Sequence, residues 1–159
     1  MISISAIVFF SISNDDYSYA NTQNIAQPIS KQILLDYFEE VERVQEKVNF
    51  IGKNAMRVKE TNNTKGIQDY LLETKRLQDE TIFLIKNIQR DYDTYKNKEN
   101  SSILLSLILS LTDYRLALQE LEYYLERDDI DKRYDSFIRF AVLKHRGDTI
   151  VDDVINIYK

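Results

Sequence analysis

The sequence predicts an all-α protein: a slender antiparallel up-down-up-down four-helix bundle with coiled-coil-like heptad seams. Three observations predict it. Apolar residues recur at alternating spacings of three and four over long stretches, the period of one helix face. Glycine occurs three times and proline once in 159 residues, too few for a turn-rich β protein whose hairpins ask for such residues. Short polar clusters, "ETNNTKG", "KNKENSS" and "RDDIDKRYD", interrupt the pattern and mark brief connections, which make neighbouring helices antiparallel.

The chain opens with "MISISAIVFFSISNDDYSYA". Ile2 to Ile12 is apolar apart from small serines, and a polar stretch follows. Ser18 and Ala20 set small side chains two apart, the spacing a signal peptidase reads, and Ser11 and Ser13 offer a weaker site. Residues 1–20 are therefore expected to be a cleaved signal peptide. No Lys or Arg precedes Lys31, so the usual basic n-region is missing; a start codon assigned too late would account for that. An apolar run of this length makes only ~16 Å of helix, against a hydrocarbon core of ~30 Å, so no stable membrane span is expected in the mature chain. The competing expectation is a strand, short helix or loose arm that stays with the domain in the cytoplasm. Residues 21–29 read as a polar linker ending near Pro28, and 30–159 as the bundle, with helices at about 30–60, 65–97, 102–127 and 130–158.

Ser30 is suited to cap the first helix, because its hydroxyl can accept from an unpaired first-turn amide. Leu34, Tyr37, Val41, Val44, Val48, Ile51, Ala55 and Val58 then form an unbroken seam. Acidic residues lead this helix and Lys47, Lys53, Arg57 and Lys59 follow, complementing the helix dipole. Gly52 interrupts the pattern at a cost of roughly 1 kcal/mol relative to Ala.

The second helix turns Ile67, Tyr70, Leu71, Thr74, Leu77, Thr81, Leu84, Ile85, Ile88, Tyr92 and Tyr95 inward. Thr74 and Thr81 are polar at seam positions. Either they line a small wet pocket with Tyr114, or their hydroxyls bond the carbonyl one turn back. Ser101 or Ser102 is expected to cap the third helix, whose seam is Leu104, Leu107, Leu111, Tyr114, Leu118, Leu121 and Leu125. Its first turns, "ILLSLILSL", are apolar on nearly every face, as befits the central helix of a bundle. Asp128, Asp129 and Asp131 suit the start of the fourth helix. They fail as an EF-hand, since Arg133 and Tyr134 stand where a ligand and a glycine are required. Ile130, Tyr134, Phe137, Ile138, Ala141 and Val142 read as its inward face. Gly147 should kink or break it, with Asp148 or Thr149 capping a last segment that turns Val151, Val154, Ile155 and Tyr158 inward.

The chemistry is defined mostly by exclusion. Without cysteine there are no thiolate metal sites or thiol nucleophiles. His145 is the single histidine and Val142 precedes it by three, so the Glu-x-x-His pairs of di-iron bundles are missing. No Gly-x-Ser-x-Gly elbow and no phosphate-cradling glycine loop occur. The net charge of −5 with scattered basic residues disfavours nucleic acid, which needs a concentrated basic face. No metal, cofactor or catalytic residue is expected, and the protein is read as a non-enzyme. "RGD" at Arg146–Asp148 matches an integrin-read tripeptide, but a helix stop and cap explain the same letters. Asn62 and Asn100 head Asn-x-Ser/Thr sequences in expected turns, which glycan attachment would require.

Eleven tyrosines are more than a core needs. Tyr123 and Tyr124 are adjacent, so at most one points squarely inward. The other, with Tyr92 or Tyr95, is a candidate partner contact, because tyrosine joins apolar area to a polar tip. The expectation is a non-catalytic exported or cell-surface bundle acting through protein contacts or self-association. The alternatives are an extracytoplasmic small-ligand sensor using Thr74, Thr81 and Tyr114, and a cytosolic regulatory or immunity-type bundle.

Overall fold

A computed structural model describes residues 29–96 and 100–158. The expected signal peptide, nearly all of the linker and the expected end of the second helix at 97 lie outside the described residues. Four helices account for the fold: α1 (Lys31–Glu60), α2 (Thr64–Tyr95), α3 (Ser101–Glu126) and α4 (Ile130–Tyr158). No strand occurs among the described residues.

Local chemistry sets the ends. The Ser30 hydroxyl accepts from the Ile33 amide at 3.2 Å and starts α1 as expected. Thr61 ends it by donating to the Arg57 carbonyl, and Asn62 turns the chain with φ 50°. Asn63 accepts from the Gly66 amide and caps α2. The third start differs from expectation. Asn100 occupies the N-cap in the left-handed region, without a side-chain cap bond, while the Ser101 hydroxyl donates back to the Lys96 carbonyl. Asparagine tolerates that backbone conformation better than serine. At α4, Asp129 accepts from the Lys132 amide at 3.1 Å. That bond is the main reason its carboxyl lies below the usual range.

Side-chain pairs establish the antiparallel order. Tyr37 donates to Asp91, and Lys47 meets Glu80, between α1 and α2. Gln78 and Lys75 both reach Glu122, between α2 and α3. Arg146 meets Asp113, and Arg139 meets Glu120, between α3 and α4. Gln45 donates to Asp148 and closes α1 on α4. The four helices do not form a square. α3 packs on all three others, α2 and α4 occupy opposite corners without meeting, and the α1–α4 side is the weakest contact. The whole predicted seam of α3 is buried, which gives the central role expected from its apolar first turns. By length and composition α3 is also the one described helix apolar enough to cross a membrane, and half of its most apolar window is buried in the bundle.

Two seams differ from the sequence expectation. In α1 the deep aromatic is Phe38, and Tyr37 is only partly buried. The Tyr37 hydroxyl needs a polar partner, and it finds Asp91 at the α2 edge at 2.7 Å. At the other end Lys59 is buried and donates to the Leu125 carbonyl at 2.7 Å, with Asp128 3.6 Å away. It satisfies one of the carbonyls left open at the C-terminus of α3.

The larger difference is α4. It runs as one helix through Gly147, without the expected break, and Asp148 and Thr149 cap nothing. Gly147 is buried against Tyr114, and a Cβ there would lie 2.7 Å from the Tyr114 ring. The glycine permits close approach instead of ending the helix. The buried residues of α4 are Ser136, Phe140, Gly147, Val151 and Val154. Val151 and Val154 match expectation. Ile130, Tyr134, Ile138 and Val142, expected inward, are exposed, as is Ala141, and Phe137 is only partly buried. Ile138 and Val142 lie on the opposite side of a continuous helix from Val151, because thirteen and nine residues at 3.6 per turn each leave about half a turn of offset. Only one set can face the core.

Gly147→Ala should therefore destabilise the protein despite a helix-propensity gain of about 1 kcal/mol. The Tyr114 ring is fully buried, so forcing it aside should cost about 1–3 kcal/mol. The expected result is a lower denaturant midpoint with an unchanged slope.

Candidate interaction surface

The α3–α4 junction explains why α4 sits as it does. Tyr114 projects from the α3 seam onto Gly147, and its hydroxyl donates to Asp148 Oδ1 at 2.9 Å. The same oxygen accepts from Gln45 of α1 at 3.1 Å, and Lys144 binds the other oxygen. Burial, then the bond to Asp148, pushes the Tyr114 hydroxyl well above its ordinary pKa, so it stays a donor. One residue away on each helix, the Arg146 guanidinium holds Asp113 through two bonds, Nε to Oδ2 at 3.1 Å and Nη2 to Oδ1 at 2.6 Å. The Asp113 side chain is only 3% exposed, and a two-toothed arginine pair is the geometry that makes such burial tolerable. All three residues of the "RGD" triplet are thus engaged with α3 in the middle of a helix.

The residues singled out for a ligand pocket are spread along the interior. Thr74 donates to the Tyr70 carbonyl and Thr81 to the Leu77 carbonyl, each at 2.7 Å. These are back-bonds along α2 that leave the methyl groups to pack. With Tyr114 committed to Asp148, none of the three hydroxyls is offered to an open cavity. The tyrosines proposed as partner contacts divide. Tyr124 is buried and packs on Phe137, with ring centroids 5.5 Å apart. Tyr123 lies outward beneath the Arg127 guanidinium, 5.0 Å from its ring centre, and accepts from Gln119. Tyr92 and Tyr95 pack against the core edge, partly buried. They are not brought together with Tyr123. Asn62 and Asn100 sit in the turns, both with positive φ.

The sequence reading did not anticipate the surface on α4. Ile130 is 70% exposed, Tyr134 64%, Ile138 44% and Val142 56%. Their spacing of four makes a continuous ridge with a gentle twist. Beside it runs a groove between α1 and α4, where those two helices pack least. One hollow of about 500 Å³ is lined by Gly52, Met56, Phe137, Phe140 and Ala141 among others. A second, of about 230 Å³, lies between Met56, Tyr124, Ile130, Tyr134 and Phe137. The Phe140 ring enters α1 at Gly52, where a Cβ would lie 2.4 Å from the ring tip. The groove floor is therefore aromatic and continuous with the ridge. The periodic run from Ile130 to Val142 was the available signal for this surface; it marks an apolar face without saying which side of the helix meets the core.

Other exposed apolar side chains are more scattered. Phe50 overlooks a hollow of about 390 Å³ between α1 and α2, whose walls carry Glu73, Arg76 and Glu80. Leu105 and Leu109 lie on the outer side of α3. No three or more Asp, Glu or His residues are grouped to hold a metal ion among the described residues. No family model, no curated protein and no solved structure matches this chain.

Two substitutions separate the parts of the α3–α4 junction. Tyr114→Phe removes one hydrogen bond and leaves Asp148 with Gln45 and Lys144, so a loss of about 1 kcal/mol is expected. Arg146→Ala leaves the Asp113 carboxylate buried without its partner, and about 2 kcal/mol is expected. Urea unfolding of the two variants should rank them in that order.

Proposed function

We propose that this protein is a non-catalytic helical bundle that works through protein contacts made by the outer face of α4 and the adjoining α1–α4 groove. One observation supports this above the rest: Ile130, Tyr134, Ile138 and Val142 form a periodic apolar ridge that the bundle leaves in solvent. Contiguous exposed apolar surface rimmed by charge is characteristic of interaction sites. Aromatic residues in such a patch suit the centre of an interface. The polar side chains that converge inside the bundle, around Asp148 and Asp113, are fully engaged in holding helices together.

The place of action we propose is outside the cytoplasm. It rests on the apolar run Ile2–Ile12 followed by the small residues Ser18 and Ala20. N-terminal sequencing of the native protein should find Asn21; a chain that keeps Met1 would move the protein to the cytoplasm without touching the α4 proposal.

A photoreactive residue at position 138, introduced in the native host, should yield a covalent adduct with another protein chain on illumination. The same residue at position 149, on the polar continuation of the same helix face, should yield much less. Equal yields at the two positions, or none at 138, would overturn the reading.

A further inference from the structure

We infer that Asn62 is an acceptor for an N-linked oligosaccharide, attached outside the cytoplasm. The inference rests on the proposed place of action and is independent of the α4 contact reading. Asn62, Asn63 and Thr64 form the Asn-x-Thr triplet that such transfer requires. All three are exposed, in the turn that joins α1 to the start of α2. The Asn62 backbone donates to the Lys59 carbonyl and takes φ 50°. Its carboxamide makes no hydrogen bond among the described residues and stands in solvent at the tip of the bundle.

The fold accounts for two of the three residues. A left-handed turn position favours asparagine at 62, and Asn63 accepts from the Gly66 amide to cap α2. Thr64 has no such role. It is the first residue of α2, and threonine is among the weaker helix formers. Every other threonine among the described residues returns its hydroxyl to a carbonyl one turn back: Thr61, Thr74, Thr81, Thr94, Thr112 and Thr149. Thr64 has no preceding turn of α2 to bond, and its hydroxyl is free. The two groups that an oligosaccharide transferase reads are thus the two that the fold leaves unused.

Asn100 heads the second triplet and differs in its surroundings. It is half-buried and lines, with Ile103, Val154 and Tyr158, a hollow of about 260 Å³. A sugar there has to be drawn out of the hollow, so Asn62 is the better acceptor. In the transfer, Asn62 Nδ2 forms a bond to C1 of the first sugar as the bond from C1 to a polyprenyl diphosphate carrier breaks. The diphosphate leaves with the bonding electrons, and the amide gives up one proton. The co-reactant is a polyprenyl-diphosphate-linked oligosaccharide, and nothing is oxidised or reduced.

Intact mass and peptide mapping of the chain purified from its native host test this. The expected result is a mass above that of the sequence from Asn21 to Lys159, with the excess on the peptide that holds Asn62 and lower occupancy at Asn100. Thr64→Ala should remove the excess at Asn62, and Thr64→Ser should retain it. Both variants keep asparagine in its left-handed turn and alter only an exposed side chain. A chain that begins at Asn21 without excess mass would overturn the inference and leave the place of action standing. So would greater occupancy at Asn100, or a modified Asn62 that survives Thr64→Ala. A chain that keeps Met1 and carries no sugar would sink both readings. The adduct at position 138 reports on the α4 contact separately.

Discussion

The contact of the Tyr114 ring with Gly147, closed by the hydroxyl bond to Asp148, is the constraint on which the rest of the arrangement depends. A helix packed on a neighbour is free to rotate about its axis until something fixes its phase. Hydrophobic burial fixes it loosely, because it is non-directional and grows with area. A ring seated where no Cβ exists, and a phenol that needs an acceptor, fix it tightly. Arg146 on Asp113 repeats the constraint one residue away. Together they turn Ser136, Phe140, Gly147, Val151 and Val154 to the core.

Two consequences follow from that phase. Facing Tyr114 with Gly147 lets α3 and α4 approach closely, and α3 becomes the hub that touches every other helix. The same rotation carries Ile130, Tyr134, Ile138 and Val142 to the outside. The bundle keeps its polar lock and leaves apolar area in water. At about 25 cal/mol per Å² that exposure is costly for a lone chain, and an occupant of the face would recover it. The weak α1–α4 side has the same origin. With α4 committed to α3, α1 reaches it chiefly where Phe140 enters at Gly52, where Gln45 meets Asp148 and where Phe38 meets Tyr158.

Polar residues at seam positions behave in two ways, and the difference is one of reach. Thr74 and Thr81 have short side chains whose hydroxyls meet the carbonyl four residues back, so they settle their hydrogen bonds within α2. Lys59, Asp113 and Tyr114 are longer and bond across to another helix. The first kind leaves the packing phase free. The second kind specifies which helices are neighbours and at what rotation, the use for which buried polar groups are best attested.

The number of helices and the seams of α2 and α3 were legible in the sequence by itself, because those features are local. Three-and-four periodicity, a serine before the first apolar turn and turn formers between segments act within one stretch of chain. Phe38, Lys59 and the phase of α4 were decided only by tertiary structure. Periodicity identifies an apolar side of α4 around Ile138, but the side that enters the core is chosen by what α3 offers it. A glycine and a serine at core positions leave no hydrophobic trace in the sequence. Their value comes from the ring of Tyr114 and from Arg127, which donates to the Ser136 hydroxyl at 3.0 Å. Apolar residues report that a surface seeks burial; complementarity with a neighbour determines whether the fold itself provides it.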